Sequence, residues 1–190
     1  MKTTLALCLV TSLLTTACQT QPTEQQPAAA PAQPAAAAPP TAAPAALDTA
    51  QVRQWLVASI DTNFSNEAQE RRNTDPQDPT SIYTPQYVEY KLDAIQLEFA
   101  EEEDAEQKFQ QKWSGRYNPQ LVGNGTFLFV QGQDYGKVRV TGCKFKERTK
   151  DQGLLFTVTT KDDTYHTQET GDIKVISTPQ GYKIDDVREY

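Results

Sequence analysis

The stretch Lys137-Val138-Arg139-Val140-Thr141-Gly142-Cys143-Lys144-Phe145-Lys146 decides the fold. Val138 and Val140 alternate with polar residues, as a half-buried strand requires. Cys143 and Phe145 alternate too, but one residue out of phase, and Gly142 stands at the break. Strand side chains switch faces at every residue, so an uninterrupted strand would send one of the two pairs to solvent. The pattern therefore predicts a β-bulge at Gly142, where one extra residue restores the phase.

Downstream, Leu154, Phe156 and Val158 mark another strand, and Thr164 to Ser177, carrying Ile173 and Val175, a long one. Thr178-Pro179-Gln180-Gly181 is a turn into Tyr182-Lys183-Ile184, and upstream Phe127 to Val130 reads as a short apolar strand. Before Gly115 the period changes to that of a helix. Asp48 can cap a helix with Val52, Trp55, Leu56, Ile60 and Phe64 at helical spacing. Asn73 to Ser81, with Asp75-Pro76 and Asp78-Pro79, is a turn region. Thr84-Pro85 opens a second helix in the favoured order of cap then proline, with Val88, Leu92, Ile95 and Phe99 as its expected stripe. A short third helix carries Phe109 and Trp113 beyond the acidic Glu101 to Asp104, which reads as a solvated face. Helices first and antiparallel strands afterwards make an α+β class. The expectation is two to three helices on one face of a curved sheet of four to five strands.

The other end of the chain reads as an export signal. Met1-Lys2 is followed by an apolar stretch from Leu5 to Leu14. That is about ten residues, where a membrane-spanning helix needs roughly twenty. It ends Leu14-Thr15-Thr16-Ala17-Cys18, the form of a bacterial lipobox, although Leu is displaced one step from its usual place. Residues 1–17 are thus expected to leave, with Cys18 becoming the lipid-carrying first residue. Gln19 is not the Asp that retains many such proteins at the inner membrane, so in a Gram-negative host the expected address is the outer membrane, facing the periplasm. Residues 18–46 are nearly all Pro, Ala, Gln and Thr with nothing to build a core, a semi-rigid spacer. Residues 47–190 are the expected single globular domain.

Charge and cysteines exclude several function classes. Once Lys2 leaves with the signal, 17 basic face 25 acidic residues. Such a surface suits neither nucleic acid nor anionic lipid headgroups, so membrane contact should come through Cys18. Of three cysteines, Cys8 leaves with the signal and Cys18 takes the lipid, so Cys143 has no partner for a disulfide and reads as a buried small hydrophobe. His166 stands alone at neither metal nor triad spacing. There is no nucleophile elbow, phosphate loop or Cys/His metal set, so no cofactor, metal or catalytic residue is predicted.

Four motifs carry a family likeness: Phe109-x-x-Lys112-Trp113, Gly132-Gln133-Asp134-Tyr135, Val138-x-Val140-x-x-Cys143, and Tyr182-Lys183-Ile184-Asp185-Asp186-Val187. In this order the chain resembles a family of exported bacterial proteins, commonly lipoproteins, classed as a domain of unknown function. The resemblance implies a curved-sheet fold like that of nuclear transport factor two. Relatives by fold hold a small apolar molecule in the cone between sheet and helices and use an Asp, often with His or Tyr. Asp134, with Gln133 and Tyr135 between Gly132 and Gly136, is the most interesting polar cluster, on an expected turn. Lys112, beside Trp113, is expected to pair with Asp134 or with Asp185-Asp186 and lock the third helix to the sheet.

The leading functional expectation is a non-enzymatic envelope lipoprotein that docks on another envelope protein, as accessory subunit or inhibitor (immunity protein). The alternative is a carrier or enzyme for a small apolar ligand, with a cone lined by Trp55, Tyr87, Phe127 and Phe156. A third is a purely structural spacer of the envelope. Cys18→Ser tests the anchor: the expected outcome is loss of acyl labelling, no processing at Ala17, and no mature protein in the membrane fraction.

Overall fold

A computed structural model describes residues 47–123, 127–129 and 135–190. Cys18, the Pro/Ala-rich segment, Val130, Gln133 and Asp134 lie outside these residues.

The N-terminal part is helical, and the caps explain where each helix begins. Asp48 accepts from the N–H groups of Ala50 (2.8 Å) and Gln51 (3.3 Å) and starts α1, Thr49–Ser65. Such a cap is worth about 1 kcal/mol. Val52, Leu56 and Ile60, spaced four apart, form its buried face, while Trp55 and Phe64 pack at the margin. Asn66 caps a second, short helix, α2 (Glu67–Asn73), which no apolar periodicity announces. The segment after it is turn, as expected, with Asp75 accepting from Gln77 N–H and Asp78 from Thr80 N–H. Thr84 caps α3, Pro85–Leu97, accepting from Tyr87 N–H at 3.2 Å. α4, Ala105–Trp113, buries Phe109 and Trp113.

The expected stripe on α3 needs correction. Its buried residues are Tyr87, Val88, Tyr90 and Lys91, with Leu92 and Ile95 only partly covered. Phe99 lies beyond the helix and is 77% exposed. Tyrosines fill the space that the aliphatic pattern assigned to Phe99: Tyr90 stacks on Tyr117 at 4.3 Å and on Phe109 at 5.6 Å between ring centroids. Stacked rings of this kind add to area burial, and their hydroxyls find partners at the margin. Tyr90 donates to Asn118 O, and Tyr87 to Phe127 O.

Four antiparallel strands follow in the order β1-β2-β3-β4: Val138–Arg148, Leu154–Asp162, Gln168–Thr178 and Gly181–Glu189. Phe127–Phe129 is turn and bend rather than the strand that its apolar run suggested. Phe129 has φ 40°, a conformation outside the extended range, and its ring lies where a Cβ on Gly171 would meet it at 2.8 Å. That residue of β3 must be glycine for the ring to pack.

Between Val140 and Gly142 the β1–β2 register shifts, which is the bulge the phase slip predicts. Val138 and Val140 pair with Asp162 and Thr160, and Cys143 and Phe145 with Val158 and Phe156, so both pairs share one sheet face. A second shift lies between Phe145 and Glu147. Cys143 is half-buried rather than buried, and desolvation pushes its thiol up to about 11. At the sheet's edge, Val140 N–H donates to Asp61 of α1 at 3.0 Å. The core unites α1, α3 and α4 with Leu154, Phe156, Val158, Ile173, Val175, Ile184 and Val187. The opposite face carries Thr157, Thr159, Thr170, Asp172 and Lys174.

The long strand begins at Gln168, not Thr164, because Asp162 bends the chain. Its carboxylate accepts from Thr164 N–H (2.7 Å), Tyr165 N–H (3.1 Å) and, across to β1, Gly136 N–H (2.6 Å). His166 sits exposed in this turn with φ 59°. Burial works against the Asp162 charge, yet these backbone donors hold its carboxyl below the ordinary 3.8. A carboxyl whose folded pKa is depressed contributes stability that is complete above its unfolded value and vanishes as pH falls through the folded one. Asp162→Asn is therefore expected to lower the urea midpoint at neutral pH and to converge on the wild type only in acid well below 3.8.

Candidate functional site

The charged residues expected to gather at the junction of helix and sheet form two separate groups. Lys112 reaches Asp93 of α3 at 2.7 Å, not Asp185 or Asp186. Trp113 donates its indole N–H to the same carboxylate oxygen at 2.8 Å, and the Lys112 ammonium lies 4.7 Å from the Trp113 ring. Lys112 thus ties α4 to α3, its helical neighbour, rather than to the sheet. A buried indole needs an acceptor for its N–H, and the Lys112 charge was the sequence signal that an acidic residue would be near it. The sequence could not say which.

Asp185 is the centre of the second group. Its side chain is 2% exposed and accepts from Thr84 Oγ (3.0 Å), Arg116 (2.9 Å) and Lys174 (2.9 Å). Lys174 also reaches Asp151 at 2.5 Å. Arg116 follows α4 and donates to the Tyr117 hydroxyl, while burial and the Asp185 charge push Tyr117 up to about 12. Asp186 turns elsewhere: Arg188 pairs with it at 2.7 Å, and burial still holds its carboxyl above the ordinary range. Asp172, on the same strand pair, takes Lys146 at 2.5 Å and Thr157 at 2.7 Å.

A buried lysine closes the other end of β4. The Lys91 ammonium donates to Val122 O (2.6 Å) and pairs with Glu189 (3.0 Å). Burial lowers its pKa, and the adjacent Glu189 charge opposes that. The Glu189 carboxylate occupies the place of a Cβ on Gly123, at 1.9 Å, where φ is +65°. Only glycine fits both demands.

These pairs are structural bonds, with each cation spent on a carboxylate or a carbonyl. Among the described residues no set of three or more His, Cys, Asp or Glu side chains could hold a metal ion. No described helix is long and apolar enough to cross a membrane.

The surface offers a different feature. A cleft of about 970 Å³ opens beside α3 and α4, with Phe109 and Val122 in its wall and Glu98, Glu102, Glu103 and Glu106 around it. Phe99 projects from the loop between those helices.

No family model, curated protein or solved structure matches this chain. The likeness to exported lipoproteins accordingly rests on the sequence motifs.

The two charged groups differ in burial, and so in energy. Asp185→Ala removes the buried acceptor of Thr84, Arg116 and Lys174, leaving Lys174 to Asp151 alone, and is expected to cost about 2 kcal/mol. Lys112→Ala removes a half-exposed pair and should cost at most about 1 kcal/mol. Urea denaturation of both variants checks the contrast.

Proposed function

We propose that this protein is a lipid-anchored envelope protein, held through Cys18 at the outer membrane on the periplasmic side in a Gram-negative host. Its folded domain docks, without catalysis, on a basic surface of another envelope protein as accessory subunit or inhibitor. The observation that carries the reading is the acidic cleft, with the exposed Phe99 in the loop that joins α3 to α4. Several carboxylates of one sign beside a concave surface raise the encounter rate with a basic partner. An aromatic ring left 77% exposed is a suitable anchor once a partner covers it. The lipobox and the spacer supply the place and the reach.

The same reading extends to fold family. The bulges in β1 and β4 favour a bent sheet, which supports a relation to the fold of nuclear transport factor two. Of the four side chains expected to line a cone, Tyr87, Phe127 and Phe156 are buried in the core and Trp55 packs edge-on against Tyr182. That packing favours docking over a ligand held between sheet and helices.

Crosslinking of the tagged, anchored chain in intact envelopes is expected to recover one stoichiometric partner at low salt and less at high salt. Phe99→Ala, and the combined change Glu102→Lys, Glu103→Lys and Glu106→Lys, should each lose it without lowering the thermal midpoint. Recovery of no stoichiometric partner, or of one indifferent to these changes, refutes the reading.

A further inference from the structure

The wall and the rim of the acidic cleft differ in character. Ile95 and Leu97 of α3 and Val122 pack against the core, yet they stay partly exposed where they line the cleft. Phe109 and Phe129, both nearly buried, complete this apolar wall. Around it stand Glu98, Glu103 and Glu106 from the α3–α4 corner and Glu169 from β3. At about 970 Å³ the cleft reaches the upper end of the roughly 300–1,000 Å³ of small-molecule sites, which is room for a few residues of peptide chain.

The rim carboxylates are uncompensated. Nearby cations are spent on other groups: Lys108 on Glu102 and Asp104, and the buried Lys91 on Glu189. Among the described residues Glu98, Glu103, Glu106 and Glu169 form no ion pair. Elsewhere acids are matched, Asp93 by Lys112, Asp151 by Lys174, Asp163 by Arg139 and Asp172 by Lys146. Like charges gathered without counter-charges repel one another, and cations that enter relieve that cost.

The cleft also lies far from where the chain enters the domain. Leu47 O accepts from Arg148 at 3.1 Å, and Arg148, Leu154, Val175 and Ile184 form one rung across the sheet. α3 starts beside this rung: Tyr83 bridges to Ile184, and Thr84 N–H donates to Ile184 O at 2.8 Å. From there β4 and α3 both run toward the cleft, where Glu189 ends the strand and Glu98 caps the helix. Glu169 stands roughly 20 Å along β3 from Val175. Attachment through Leu47 therefore leaves the cleft open.

We propose that the cleft receives a short extended segment of the partner in which one apolar residue stands between two cationic ones. The inference rests on the docking reading and narrows its basic surface to one peptide pattern. Neighbouring side chains of an extended chain point opposite ways. The apolar residue enters and meets Ile95, Leu97 and Val122, while the long cationic side chains stay at the rim with the carboxylates. A flat basic face would reach the rim and leave the apolar wall wet. A purely apolar segment would leave the carboxylates unpaired.

The test uses the mature chain, residues 18–190 with Cys18→Ser, and short peptides with blocked ends. NMR titration reads both weak affinities and the residues that respond. The probe is Gly-Arg-Leu-Arg-Gly; Gly-Arg-Ser-Arg-Gly keeps its charge, and Gly-Gln-Leu-Gln-Gly keeps its apolar residue. The probe is expected to shift Leu97, Glu98, Val122 and Glu169, to bind about tenfold more tightly than either control, and to weaken as salt rises. Leu97→Ser should bring the probe down to the affinity of the serine peptide. The combined change Glu98→Gln, Glu103→Gln and Glu169→Gln should bring it down to that of the glutamine peptide. In the parent chain, absence of probe binding, shifts confined to other surfaces, or equal binding of the probe and the serine peptide overturns the proposal without any variant. So does spermidine bound as tightly as the probe, since charge alone would then suffice. A stoichiometric envelope partner that the probe fails to displace also overturns it, and leaves the docking reading intact.

Discussion

A carboxylate almost out of reach of water, Asp185, joins the helical half of this domain to its sheet. Opposite β4, Lys174 pairs with Asp186 and Val175 with Ile184, so Asp185 is the residue inserted by the bulge. The insertion has a packing consequence. Ile184 and Val187 stand three apart and would face opposite ways in a regular strand; with one extra residue between them, both meet Ile173 and Val175 on the core face. The bulge also turns the Asp185 carboxylate to where Thr84, Arg116 and Lys174 converge. Thr84 is shared, since the hydroxyl that caps α3 is the one that donates to Asp185. Helix start, helix end and strand are thereby fixed by one anion. The desolvation cost of such a group is offset only while all its partners are in place.

Much of this architecture was legible because it follows from local chemistry. Asp48 and the Thr84-Pro85 pair mark helix starts, and those two helices begin there. The phase slip at Gly142 was readable because a strand's period of two leaves no other way to keep Val138, Val140, Cys143 and Phe145 on one face. The bulge in β4 had no such sign. Two consecutive aspartates, one inserted and one paired, look the same in sequence as two residues of a regular strand. α2 was invisible for another reason: Glu67 to Asn73 carries no large apolar residue, and its existence depends on the Asn66 cap and on the bonds Asn73 makes to Asn63 and Ile82.

The candidate site was less legible than the fold. Lys112, Trp113, Asp185 and Asp186 were recognisable as residues with unmet electrostatic needs, but not which partners met them. Asp93 lies twenty residues from Trp113 on a neighbouring helix, and helix order does not disclose that contact. Lys91 is the extreme case. A lysine inside an apolar stripe reads as the stripe's solvent edge, yet here it is wholly buried because Glu189 and Val122 O come to it from distant segments.

The edge at β1 has a consequence for how copies of this chain behave together. An open four-stranded sheet has two free borders, and unoccupied borders invite strand addition by another chain. At β4 the border takes the Tyr83 bridge, and at β1 one of the peptide N–H groups is occupied by Asp61. Further along, Lys144, Lys146 and Arg148 stand exposed on β1. A neighbour laid along that border would have to displace a helix side chain and approach a rim of exposed, charged side chains. Resistance to fibre-like stacking is thus built into the strand whose bulge organises the rest of the sheet, and it keeps copies brought together at high concentration from templating one another.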